Sequence, residues 1–65
     1  MQGHVKWFDV ARGYGFLVVE GHEGDILMHA NVLKSFGRSS VAEKSMIEFD
    51  AQKTDKGLQV IRIHE

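Results

Sequence analysis

Sixty-five residues are enough for one domain with a thin core, because a chain of this length buries only roughly 60% of the surface that its unfolded form exposes. Without cysteine it has no disulfide and no thiolate zinc site, and its longest uninterrupted apolar run, Phe16 to Val19, falls far short of a membrane span, so a soluble single domain over residues 1–65 is expected. Eight Lys and Arg against nine Asp and Glu give a net charge of -1, which argues against holding duplex nucleic acid by neutralising many phosphates but leaves binding by base stacking open.

In chain order, His4 to Val10 is rich in β-branched and aromatic residues, Ala11 to Gly13 interrupts it, and Tyr14 to Glu20 resumes the pattern, which predicts a strand pair. Gly21 to Gly24 reads as a turn and Asp25 to His29 as a third strand. Asn31 is placed to cap a short helical turn through Val32, Leu33 and Lys34, followed by a loop over Ser35 to Ser40. In the fourth strand Ile47, Phe49 and Ala51 share one face and Met46, Glu48 and Asp50 the other. Lys53 to Gly57 turns the chain into a last strand over Leu58 to Glu65, whose two apolar faces compete; Ile61 and Ile63 are expected inside. Five short strands with no proline and no long amphipathic helix predict an all-β fold, a small antiparallel barrel or a partly open sandwich.

Alternation sorts the second and third strands into two sets. Leu17, Val19, Ile26 and Met28 fit an interior that also takes Ile47 and Phe49. Tyr14, Phe16, Leu27 and His29 fall on the opposite side as one patch, where rings two residues apart make steps for unpaired bases. Gly15 between the rings lets a neighbouring strand come close. The pattern also allows the rings to be core. Trp7 and Phe8 cannot both face inward on a regular strand; strict alternation from Val5 puts Trp7 inside, and only a bulge or strong twist brings it out beside Tyr14. Lys6 and Arg12 flank the patch within reach of phosphates, and Phe36 is either a lid folded onto the core or an extension of the platform. The four histidines are scattered, with no ligand spacing and no nucleophile to activate, which predicts no metal, no cofactor and no enzymatic activity.

The segments VKWFD, RGYGFL and DILMHA resemble the cold-shock domain family, and the likeness runs along essentially the whole chain. It implies a five-stranded OB-fold barrel with a short helical turn after the third strand, in a protein that binds single-stranded RNA or DNA as a nucleic-acid chaperone or regulator of transcription and translation in the cytoplasm. It also implies that Lys6, Trp7, Phe8, Arg12, Tyr14, Phe16, Asp25, His29 and Phe36 touch bases or backbone or support those that do, with Trp7 exposed. Three positions depart from the family pattern. Leu27, counted with the site, and Ala30 stand where rings are usual, and Lys44 stands where a turn glycine is usual. The pattern is closest to one domain of bacterial proteins that carry two such domains, so a second domain in cis is an expected partner. With two rings lost, an interaction module presenting Tyr14, Phe16 and Leu27 to a protein is the competing expectation.

Overall fold

The computed structural model describes residues 1–38 and 40–64; Ser39 of the expected loop and Glu65 of the expected last strand lie outside the described residues. Five strands, β1 (Gln2–Asp9), β2 (Tyr14–Val18), β3 (Ile26–His29), β4 (Met46–Thr54) and β5 (Gly57–His64), close a barrel in the order β1-β2-β3-β5-β4, with one helix, α1 (Ala30–Ser35), after β3. The seams are antiparallel except β3 against β5, which run parallel through the pair Leu27 and Gln59. Closure leaves no long row of unpaired backbone groups at a sheet edge.

The barrel is filled by Val5, Leu17, Ile26, Met28, Phe49, Val60 and Ile63, and Leu33 of α1 plugs one end. Val19, Ile47 and Ala51 pack against this cluster partly buried, so the inward sets expected for β2, β3 and β4 hold. Among the described residues no polar or charged residue is buried.

Four expectations need correction. Strand β2 ends at Val18 rather than Glu20, and Asp25 precedes β3 rather than opening it. Asn31 is not the helix cap: α1 starts two residues earlier than expected, at Ala30, with His29 at the cap position and no side-chain capping bond. The Ala30 N–H donates to the Gly13 carbonyl at 2.8 Å instead, so the β1–β2 turn satisfies one of the first-turn N–H groups that have no partner within the helix. In β5, Ile63 is buried but Ile61 is 53% exposed, and Val60 takes the inward place. The register explains why: Asp50 pairs with Arg62 and the next residue, Ala51, with Val60, so Ile61 is an extra residue. A bulge there reverses the alternation, putting Leu58 and Val60 inward before it and Ile63 after it.

Lys44, in the turn before β4, has φ 69 and is the one described non-glycine residue with a positive φ. Its N–H donates to the Val5 carbonyl at 2.7 Å, which ties that turn to β1. A left-handed conformation costs a residue with a Cβ about 1–2 kcal/mol, whereas glycine adopts it freely but loses more chain entropy on folding. Lys44→Gly is therefore expected to stabilise the domain by up to about 1 kcal/mol, read as a rise in Tm; a fall would contradict the strain.

Between β4 and β5, the His64 imidazole N–H donates to Asp50 Oδ2 at 2.8 Å. That bond holds the Asp50 carboxyl below its ordinary value of 3.8; desolvation opposes it, and the charges of His64, the amino terminus and Arg62 add to the lowering. A carboxyl lowered on folding contributes stability above its unfolded pKa and loses that contribution as pH falls through its folded pKa. The parent should accordingly be more stable than Asp50→Asn at neutral pH, and acid titration followed by circular dichroism should show the gap closing as pH falls below 3.8. A gap that widened on acidification would contradict the pairing.

Candidate nucleic-acid interface

The site starts from a one-residue irregularity. On β1, Val5 pairs with Leu17 and Trp7 with Phe16, so Lys6 is an extra residue against β2. Past it the alternation reverses: Trp7 shares the outer face with Phe16, and Phe8, opposite Gly15, packs against the core. Gly15 makes the approach possible, because a Cβ on it would overlap the Trp7 carbonyl and lie 2.6 Å from Phe8 Cα.

Outside, Trp7, Tyr14 and Phe16 meet edge to face. The indole centroid lies 5.7 Å from the Tyr14 ring and 5.3 Å from the Phe16 ring, and the latter two are 6.0 Å apart with planes at 89°. Such contacts are worth about 0.5–1.5 kcal/mol each beyond the area they bury, and they hold rings in place before a ligand arrives. All three stay half-exposed.

Registers carry the surface onward. Tyr14 stands opposite His29 and Phe16 opposite Leu27, as the alternation predicts, while Leu27 faces Gln59 on β5. A row thus runs across the sheet from Trp7 through Phe16 and Leu27 to Gln59. Gln59 escaped the sequence analysis because β5 was phased from Ile61 and Ile63. Counting forward from the turn that pairs Thr54 with Gly57 would have put Leu58 and Val60 inward and Gln59 on the row.

Charged groups border the rings. Asp9 Oδ1 accepts the N–H groups of Ala11 and Arg12 at 2.9 and 3.2 Å, and the Asp9 carbonyl accepts the Gly13 N–H, a turn that sets the position of Arg12. Arg12 Nε lies 3.6 Å from Asp9 Oδ2, and Lys6 Nζ donates to Asp25 Oδ2 at 3.1 Å. Exposed pairs of this kind contribute about 0–1 kcal/mol, so both cations can be redirected to a phosphate at little cost.

Of the residues expected at the site, Trp7, Tyr14, Phe16, Leu27 and His29 share one face, with Lys6, Asp25 and Arg12 at its borders. Two are elsewhere. Phe8 lies under the sheet against the core, where it can only support the surface. Phe36 also packs against the core, under the Arg38 guanidinium 5.7 Å from its ring centroid, so of its two expected placements the structure shows the lid. Among the described residues no three His, Asp or Glu side chains come together as a metal site.

The family model for the 'cold-shock' DNA-binding domain matches residues 1–65. The chain is 37% identical over 62 residues to the cold shock protein CspA of Staphylococcus aureus, covering 95% of this chain and 92% of that one. It is 34% identical over 61 residues to the major cold shock protein of Micrococcus luteus, covering 94% and 91%. Against the lin-28 homolog of Drosophila melanogaster the identity is 36% over 61 residues, 94% of this chain but 31% of the fly protein.

Because Gly15 is what allows β1 to lie close enough to turn Trp7 outward, Gly15→Ala should destabilise the domain by about 1–3 kcal/mol and shift the emission of its single tryptophan. Thermal unfolding followed by fluorescence checks this; an unchanged Tm would mean that the strands do not approach as described.

Proposed function

The chain belongs to the cold-shock domain family of nucleic-acid-binding proteins, and from that premise we propose that this member binds unpaired RNA or DNA by stacking bases on Trp7, Tyr14 and Phe16. The observation that carries the proposal is the outward ring cluster itself. Three large aromatic side chains on one half-exposed face of a small barrel are left out of the core, where aliphatic residues and Phe49 already fill the space. Every base has a π face, so such a surface takes single strands with little regard to sequence, whereas paired and stacked bases in a duplex do not offer those faces.

Binding of this kind needs no catalysis. The domain acts by mass action as a nucleic-acid chaperone: holding the open form of a hairpin lowers its free energy and shifts the equilibrium toward melting. Lys6 and Arg12 reach the backbone on either side of the stacked bases, Asp25 positions Lys6, and His29 extends the surface beside Tyr14. Leu27 interrupts it, since an aliphatic side chain adds contact but no stacking face. A short platform makes one domain a modest binder, and a second domain of the same kind in cis would raise the overall affinity through effective concentration. The cytoplasm, where transcripts are made and folded in bacteria, is the compartment this activity suits.

Titrating oligothymidine, oligouridine and a duplex control while following Trp7 fluorescence tests the proposal. Single strands are expected to quench the indole and the duplex to do so weakly. Phe16→Ala should weaken single-strand binding by about 1–3 kcal/mol with the fold intact, and Leu27→Phe, which restores a ring beside Phe16, should strengthen it within the same range. Unchanged affinity in both variants would overturn the stacking surface.

A further inference from the structure

On the other side of the barrel, away from the rings, α1, β4 and β5 enclose two adjoining clefts of about 300 and 250 Å³ that share Phe36 and Ile63. Their floor is core: Leu33 is fully buried and Ile63 nearly so. Their lips are apolar and open, with Met46 62% exposed at one end and Ile61 53% exposed at the other. Ile61 projects there because it is the extra residue of the β5 bulge, so the irregularity that corrects the core phase also builds this surface. None of the proposed base-stacking residues lines either cleft.

The charge around the clefts differs from that of the rest of the chain. Arg38 and Arg62 line them against one carboxylate, Glu48, while the remainder of the sequence carries six Lys and Arg against eight Asp and Glu. Neither guanidinium is in a salt bridge among the described residues. Asp50, which pairs with Arg62 across the strands, is engaged by His64. Arg38 lies over the Phe36 ring, its guanidinium carbon 5.7 Å from the ring centroid.

We propose that this face docks a short peptide segment of another protein that carries bulky apolar side chains flanked by Asp or Glu. The apolar residues would enter the two clefts beside Phe36 and Ile63, and the carboxylates would meet Arg38 and Arg62. Nucleic acid fits poorly, because the walls are mainly aliphatic and the two rings among them, Phe36 and His64, are already engaged by Arg38 and Asp50. Addition of a strand is not available either, since the barrel is closed.

The test uses three fluorescein-labelled peptides that share one set of leucine and phenylalanine anchors and differ only in whether the intervening residues are aspartate, serine or lysine. Anisotropy titrations should show the aspartate peptide binding at least about tenfold more tightly than the lysine peptide, a difference of about 1.4 kcal/mol. In the isotope-labelled domain it should shift the amide resonances of Phe36, Ile61 and Ile63 but not those of Trp7 and Phe16. Ile61→Glu should weaken it at least about tenfold, and Arg38→Glu with Arg62→Glu should transfer the preference to the lysine peptide. All three substituted residues are exposed, so the folded spectrum and the oligothymidine affinity should both survive, which separates this outcome from any failure of the base-stacking surface. Equal binding of the three peptides, or none, would overturn the proposal. So would oligothymidine shifting the cleft resonances, which would make the face a second nucleic-acid site, or a concentration-dependent dimer dispersed by Ile61→Glu, which would make its occupant a second copy of the domain.

Discussion

The close approach of β1 to β2 at Gly15 is the constraint on which the rest of the molecule depends. A regular pairing continued from Val5 would send the indole of Trp7 into a barrel whose interior is already occupied by Leu17, Met28, Phe49 and their neighbours. Inserting Lys6 as an extra residue turns Trp7 out and Phe8 in, and it is sterically possible only because nothing projects from Gly15 into the Trp7 carbonyl. Core and surface are therefore set by one event. Phe8 becomes a supporting wall, Trp7 completes a group of three rings, and Lys6 itself is carried to where Asp25 can hold its ammonium.

A second bulge does similar work on β5. By turning Ile61 outward it lets Leu58 and Val60 pack before it and Ile63 after it, at the cost of leaving a large aliphatic side chain in solvent. The two irregularities divide the barrel between two kinds of chemistry. The surface of β1, β2 and β3 offers aromatic faces bordered by cations that their partners release readily. The surface between α1, β4 and β5 offers aliphatic clefts flanked by guanidiniums. With a net charge of -1, neither depends on a generally basic protein; each sets its few charges beside an apolar contact that excludes water, where they count for more than on an open surface.

How far this was legible in the sequence follows from the physics of alternation. Wherever a strand is regular, a period of two sorts its residues into two faces, as it does for β2, β3 and β4, although residue types alone leave the rings of β2 open to either side. Where an extra residue breaks the period, local pattern cannot say which phase holds. Trp7 was thus open to two placements that the resemblance alone resolved, and Ile61 was assigned to the wrong side. Gln59 was missed for the same reason. The helix start lies two residues before the one expected, because the partner of its first N–H, the Gly13 carbonyl, is distant in sequence, whereas Asn31 looks sufficient by itself. Lys44 was visible as a departure whose backbone consequence, a positive φ, the structure bears out. Phe36 offered no periodicity to read, and its placement over the core needed the helix and both terminal strands to be in position first.

Proton–proton contacts of the Trp7 indole in solution test the central claim most directly, since the domain has no other tryptophan to confuse them. The bulge at Lys6 predicts cross-peaks from the indole to the rings of Phe16 and Tyr14, and movement of the indole resonance when oligothymidine is added. Cross-peaks from the indole to the side chains of Val5, Leu17 and Phe49, with a resonance indifferent to oligothymidine, would show that β1 runs without the extra residue and that the outward ring cluster does not form.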